Sequence, residues 1–365
     1  MFVRKGFCGW VLGLALSFAG LAAHAEPSCR VAFDVGSSGV RVGASNSAAQ
    51  ARADIDYLTP LWAGRGLDVT WMPTAAALKN LPVDAGFAPA CDRVAGAFSA
   101  WRLAWQQAAG DTAALMARLQ GDTHVPVLVM PQAVEGAYAY ASARQVLGQR
   151  LTTSHVLDIG GGSMQIAGAR TTFGQALGQK SWHQVLCATL RQSAVASCDL
   201  QPMSAADLRR ARSLLDDKFN GIATTLGPLA TLTAISRPVT RGVAPAVRLL
   251  AAKKTEPTDP LSAQDISAVI SQMAALSVDK TAKLVHAHSA YATYLLSDML
   301  LLEGVLRATG GAEIQVIEGT LSILPALLAD DKAFMWSARY GCYLERFKLS
   351  GPDAYFSDPA TCQRP

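Results

Sequence analysis

Apolar and polar residues alternate in the same way in two stretches 124 positions apart. Residues 33–43 (FDVGSSGVRVG) and 157–168 (LDIGGGSMQIAG) each carry an apolar run into an Asp, then a glycine- and serine-rich turn, then a second apolar run. In both, the period of two predicts a strand, a tight turn and a second strand. From 48 to about 81, strand and loop signals mix without a clean period. Residues 95–119 read as helical, 126–130 (PVLVM) as a short buried strand, and 135–148 as a helix. Strands resume at 155–159 and 164–169, which sets a hinge near 149–154. Helices follow at 204–219, with Ser204 as its cap and Asp207 three residues on, and at 262–276. A long helical stretch from about 278 to 309 stops at Gly310 and Gly311, before a strand at 312–318 and a helix starting at 320–328. Residues 253–260 form a charged, proline-containing loop, and the tail from Ala333 reads as a packed extension. The expected division is 1–25, 26–150 with the first turn, 151–330 with the second, and 331–365.

A duplicated strand, acid-glycine turn and strand suits phosphate. Gly36, Gly39, Gly160, Gly161 and Gly162 let backbone N–H groups approach phosphate oxygens, and Ser37, Ser38 and Ser163 add hydroxyl donors. Asp34 and Asp158 each sit at a strand end beside the turn. A carboxylate next to phosphate is repulsive, so the pattern makes chemical sense with a divalent cation, Mg²⁺, between them. The plain alternative is an ordinary hairpin whose turn needs glycine. Two copies in register favour a clamp that grips a phosphate chain from both sides.

Composition sets the compartment. Arg4 and Lys5, the apolar run 9–23 and Ala23-His24-Ala25 form a secretory signal peptide cleaved after Ala25, too short to be a spanning segment. No lipid-attachment cysteine stands at the cleavage point, and no later stretch reads as a membrane span, so a periplasmic or secreted protein is expected. Cys8 leaves with the peptide. The remaining Cys29, Cys91, Cys187, Cys198, Cys342 and Cys362 are even in number and show no Cys-x-x-Cys metal pattern. Six cysteines allow 15 pairings. The expected set is Cys29–Cys91, Cys187–Cys198 and Cys342–Cys362, since each closes a short or local loop; buried free thiols are the alternative. The net charge is +4, and Arg4 and Lys5 supply two of those charges. That near balance argues against a nucleic-acid partner held by bulk charge. About 340 mature residues, half of the composition apolar, exceed what one core organises, so two lobes are expected.

These motifs resemble those of the exopolyphosphatase and guanosine-pentaphosphate phosphohydrolase family, with a second likeness to the apyrases, both in the actin, sugar-kinase and Hsp70 superfamily. Residues 33–41 resemble the first phosphate loop of either family, and Ser37-Ser38-Gly39 followed by Arg41 leans towards apyrases. Residues 157–166 resemble the second loop: Gly160-Gly161-Gly162 is the exopolyphosphatase form, and Ser163-x-Gln165 the apyrase form. Glu135-Gly136 and the residues up to Gly148 resemble the segment that carries the catalytic base. Ser99 to Arg102 is similar to the exopolyphosphatase Ala-Thr-Ser-Ala-x-Arg segment, whose Arg contacts phosphate, with Phe98 replacing the Thr. Residues 316–321 (VIEGTL) resemble the family's closing segment. The resemblance spans roughly residues 30–328. It implies an α/β fold of two ribonuclease-H-like lobes, the actin-like ATPase arrangement, with a cleft between them.

Hydrolysing a phosphoanhydride needs an in-line water, a base to orient it and positive charge on the transferred phosphoryl group. Glu135 is the candidate base; the alternative is an acid favoured by a helix N-terminus. Arg41 and Arg102 are candidates for charge neutralisation, each open to a structural ion pair instead. Asp34 and Asp158 would hold Mg²⁺ largely through water. His286 and His288, two apart on an expected helix, face different ways and make no metal pair. Trp182 and His183 beside Cys187 read as packing of a disulfide-bounded loop. The leading expectation is an exported Mg²⁺-dependent hydrolase of inorganic polyphosphate or guanosine pentaphosphate. The alternatives are a periplasmic apyrase acting on nucleoside tri- and diphosphates, and a non-catalytic polyphosphate- or nucleotide-binding protein. Residues 234–250 lack a Gly-Thr-x-Gly turn for a nucleoside. Oligomeric state is not written in the sequence.

Overall fold

The computed structural model describes residues 29–193, 198–227, 231–251, 256–317, 319 and 321–362. The expected signal peptide and Glu318 of the closing segment lie outside the described residues.

Two sheets carry the chain. The first contains β1 (Arg30–Gly36), β2 (Gly39–Ala44), β3 (Ser47–Asp54), β4 (Asp92–Ala97) and β5 (Val127–Val129), in the order β3-β2-β1-β4-β5. The second contains β6 (His155–Ile159), β7 (Met164–Gly168), β8 (Thr172–Gln175), β9 (Leu232–Ala234), β10 (Leu261–Ser262) and β11 (Glu313–Val316), in the order β10-β11-β9-β6-β7-β8. Each sheet therefore repeats one plan: an antiparallel meander of three strands, then parallel strands added beside the first. Parallel additions require crossover connections that cover the faces of a sheet, so its central strands are apolar on both sides. Val31, Ala32 and Phe33 on β1 and Val156 and Leu157 on β6 are all fully buried. The two hairpins, β1–β2 and β6–β7, are the two repeated motifs of the sequence.

Each sheet has its own apolar core. The C-terminal residues join the first: Leu324 and Leu327 on the helix Leu324–Ala329, and Trp336, Tyr343 and Phe347 beyond it, all bury against the first sheet. The chain thus returns to its first lobe before residue 330. The expected tail extension is a set of helices that closes this core, Asp331–Ser337 and Tyr340–Ser350. The three disulfides are Cys29–Cys91, Cys187–Cys198 and Cys342–Cys362. Cys29–Cys91 fastens the starts of the parallel neighbours β1 and β4, where Arg30 pairs with Asp92. No helix among the described residues is long and apolar enough to cross a membrane.

Three expectations are corrected. Residues 95–119 are not one helix, because β4 runs to Ala97 before the helices Ser99–Gln107 and Ala109–Thr123, broken at Ala108. The mixed stretch 48–81 contains β3 and most of the helix Trp71–Asp84, obscured by two prolines: Pro73 in the first turn, where its missing N–H costs nothing, and Pro82 near the end. The long stretch 278–309 is two helices, Val278–Leu284 and Ser289–Thr309, with His286 in the left-handed conformation between them. His286 and His288 therefore stand in a break rather than on a helix.

Candidate active site

The first hairpin turns through Ser37 and Ser38 between the paired Gly36 and Gly39. Gly39 is forced by space: its φ is +143°, and a Cβ there would lie 2.1 Å from the Ala53 carbonyl oxygen of β3. The second hairpin turns through Gly160, Gly161, Gly162 and Ser163, closed by Gly160 N–H donating to Ser163 O at 2.8 Å. The two turns meet. A Cβ on Gly162 would come 2.4 Å from Ser99 Oγ and 2.8 Å from Ser37 Oγ, so only glycine permits this approach.

A cavity of about 310 Å³ opens beside the meeting turns. Its walls include Asp34, Gly36, Ser37, Ser38, Gly39 and Arg41 from the first hairpin and Asp158, Gly160, Gly161 and Ser163 from the second. Glu135 reaches it from the helix Gln132–Leu147. Of the residues expected to form the site, Arg102, Gly162 and Gln165 are not among those lining the cavity. Gly162 is spent on the close approach, and the other two hold Glu135. Arg102 Nη2 lies 2.6 Å from Glu135 Oε2, its Nη1 donates to Met130 O at 3.1 Å, and Nη2 also reaches Ser163 Oγ at 3.2 Å. Gln165 Nε2 donates to the same Glu135 Oε2 at 3.0 Å and to Ser163 Oγ at 3.0 Å. Both bonds fall on Oε2, so the other carboxylate oxygen stays free to accept from water. The helix is secured one turn further on, where Tyr138 and Tyr355 both donate to Asp330 Oδ2.

Carboxylates converge on the floor. Burial pushes Asp34 up to about 6; Arg41, 3.8 Å away, opposes this, and Glu135 adds to it. Asp158 is pushed to about 7, again chiefly by burial, with Glu135 and Asp34 adding repulsion. Such a set of buried hard oxygen donors fits a divalent cation. Among the described residues, the one group of three His, Cys, Asp or Glu ligand atoms within 4.8 Å of one another is His183, Cys187 and Cys198, whose two sulfurs form a disulfide. The three acids are spread more widely, which suits a cation that keeps several of its waters. Ser37 Oγ, enclosed and without a hydrogen-bond partner in the protein, remains available to a ligand.

The rim carries residues that the motifs did not mark. Arg52 on β3, with Arg237 and Arg241 from the segment after β9, line the same cavity as Arg41. Residues 238–243 form a π-helical turn, a geometry frequent at functional sites. Enclosure, then the neighbouring charges of Arg41 and Arg52, hold Arg237 below the usual guanidinium range. Arg52 pairs with Asp54, and Arg41 with Asp34 at 3.8 Å. No sequence signal other than the isolated basic residues of 234–250 pointed to this wall.

Solved structures share this fold. A Ppx/GppA phosphatase of Aquifex aeolicus aligns over 84% of this chain and 100% of its own, with a TM-score of 0.59 at 14% identity. An exopolyphosphatase from Cytophaga hutchinsonii covers 83% of this chain and 98% of its own, with a TM-score of 0.58 at 15% identity. An exopolyphosphatase-like protein reaches a TM-score of 0.63 at 16% identity, over 83% of this chain and 98% of its own. The chain has the Ppx/GppA fold. At identities this low the matches establish the two-lobed fold alone. No protein-family model matches the sequence, and no curated protein matches it.

Proposed function

We propose that this protein is an exported, divalent-cation-dependent hydrolase of phosphoanhydride bonds, with a linear phosphate chain as its substrate. The observation that carries the reading is Glu135, bound through one carboxylate oxygen by Arg102 and Gln165 and set between the two acid-glycine turns. A carboxylate fixed in this way orients a water with its free oxygen. That water attacks the terminal phosphorus, the bridging P–O bond breaks, and the departing oxygen keeps the electron pair as the end of a chain one phosphate shorter. Backbone N–H groups of the two turns and Ser37, Ser38 and Ser163 grip phosphate oxygens. Asp34 and Asp158 would hold Mg²⁺ through its water shell, and the bound ion supplies charge neutralisation. The disulfides support export, since such bonds persist in oxidising compartments.

The arginine rim favours the chain. Arg41, Arg52, Arg237 and Arg241 face one cavity; Arg52 pairs with Asp54 and Arg41 lies beside Asp34, whereas Arg237 and Arg241 form no ion pair among the described residues, and guanidinium forks suit phosphate. Two guanidinium groups without a carboxylate partner suit an anionic phosphate ligand. Tyr291, Leu321 and Ile323 also line the cavity and give a guanosine pentaphosphate-type substrate a surface for its base. A phosphate-release assay over polyphosphate, tripolyphosphate, guanosine pentaphosphate, ATP and ADP, with and without Mg²⁺, tests the reading. Mg²⁺-dependent release is expected, fastest from the chains, with Glu135→Gln lowering kcat by roughly 10²–10⁴-fold and leaving KM within a few-fold. Binding of tripolyphosphate without release from any substrate would make the protein a binder rather than an enzyme.

A further inference from the structure

Gln179 lines the cavity beside the second turn, yet it belongs to no motif. It opens the helix Gln179–Arg191, and its backbone N–H donates to Gly160 O at 2.9 Å, which fixes its Cα against the turn. Its side chain is fixed as well. Nε2 donates to Asp298 Oδ2 at 2.5 Å, and Asp298 is buried on the helix Ser289–Thr309 with its other oxygen unpartnered in the protein. Tyr291 on the cavity wall and Asp298 lie seven residues apart, two turns of the same helix, hence on one face. Gln179 lines the cavity and Asp298 does not. The amide nitrogen is taken by a residue outside the cavity lining, so Oε1, which can only accept, is the group that Gln179 can offer a ligand.

An acceptor is the wrong group for gripping phosphate oxygens, which are themselves acceptors. It is the right group for a molecule that brings hydrogens. Water does so, either as the attacking nucleophile or in the shell of a divalent cation. The turn hydroxyls can donate as well as accept, whereas Gln179 Oε1 can only accept, and a buried side chain spent on fixing an amide orientation is costly unless the orientation matters. We propose that Gln179, held by the positioning residue Asp298, is an acceptor that fixes a water in the cleft. This rests on the hydrolase reading above.

The test compares wild type, Gln179→Ala, Asp298→Ala and the double variant. Two quantities are measured: calorimetric affinity for tripolyphosphate without added metal, and kcat and KM for tripolyphosphate across a Mg²⁺ titration. The affinity of Gln179→Ala should stay within about threefold of wild type, while kcat falls roughly 10- to 100-fold, the range for a group that orients a reacting water through a single bond. The double variant should be no slower than Gln179→Ala alone, because both substitutions remove one device. A fall in kcat at saturating Mg²⁺ assigns the attacking water, and a shift confined to the Mg²⁺ half-saturation assigns a cation-bound water. A tenfold or greater loss of tripolyphosphate affinity in Gln179→Ala, or additive effects in the double variant, overturns the proposal. A wild-type protein that binds tripolyphosphate without hydrolysing it sinks the hydrolase reading instead; the affinity comparison then still decides whether Gln179 grips phosphate.

Discussion

The two hairpins carry one device in two settings. In the first, Asp34 pairs across the strands with Arg41; in the second, Asp158 occupies the equivalent place and pairs with Gln165. Register makes Arg41 and Gln165 counterparts, a cation in one lobe and a neutral amide in the other. Arg41 lines the cavity and lowers both carboxyls, as the strongest charge acting on Asp34 and the weakest of those acting on Asp158. Gln165 is fully enclosed and spends its amide on Glu135 and Ser163. On the proposed function, this one register position divides the work: the first hairpin would meet substrate charge, and the second holds Glu135.

The largest expected effect breaks the second arrangement. Arg102→Leu leaves Glu135 enclosed without its cation, and removing one partner of a buried pair costs about 3–5 kcal/mol. Urea denaturation of the variant reads this, and Glu135→Gln in the same background should recover part of the loss by removing the stranded charge.

The lobes differ also in how they are tied. Cys29–Cys91 closes a loop of 62 residues in the first, and Cys187–Cys198 one of 11 in the second. Restricting the unfolded chain gives about 4 kcal/mol for the longer loop and about 3 kcal/mol for the shorter. Cysteine-to-alanine pairs at each bridge, compared by chemical denaturation, should rank the first lobe as the more dependent. Equal losses would show that the lobes do not differ in this respect. All six thiols of 29–362 should be unreactive in denatured, unreduced protein.

Next in size is the pair of acids. Asp34→Asn and Asp158→Asn should each weaken Mg²⁺ affinity by roughly 10–100-fold, as expected for residues acting through a water shell. The double variant should lose less than the sum, since both act on one centre. Strict additivity, measured by Mn²⁺ or Mg²⁺ calorimetry, would separate the two turns into independent sites.

The smallest effect is on stability against pH. Both acids have folded values above the ordinary 3.8, Asp34 about 6 and Asp158 about 7. The folded protein then binds their protons more tightly than the unfolded chain does. Their contribution to stability therefore falls as pH rises from about 4 to 7, and the loss is complete above that window. In chelator, the stability gained by Asp158→Asn over wild type should grow across this range and exceed that of Asp34→Asn, which has Arg41 beside it. A flat difference would contradict the assigned burial.

Sequence reading reached the hairpins, Glu135 and the disulfide set, because glycine turns, period-two strands and local cysteine spacing are written in short segments. It did not reach the arginine wall. Arg52 lies on an edge strand with no apolar alternation, and Arg237 and Arg241 sit beyond a gap of more than 180 residues, brought to the cavity only by the second sheet. Arg102 and Gln165 were visible as polar residues of the motifs, but their partner is a side chain from a third element. No spacing shows that they turn to Glu135 rather than to phosphate. The helix break at His286 was hidden for a related reason: the apolar positions on either side continue one helical period across it.

The division of labour between the two hairpins is tested most directly by steady-state kinetics on tripolyphosphate with Arg41→Gln and Gln165→Leu measured side by side. Arg41→Gln should raise KM about tenfold with kcat within threefold, since it removes charge that binds substrate and transition state alike. Gln165→Leu should lower kcat by roughly 10²-fold with KM within threefold, since it loosens the base. If both substitutions moved the same constant in the same direction, the two hairpins would share one role and the account would be wrong.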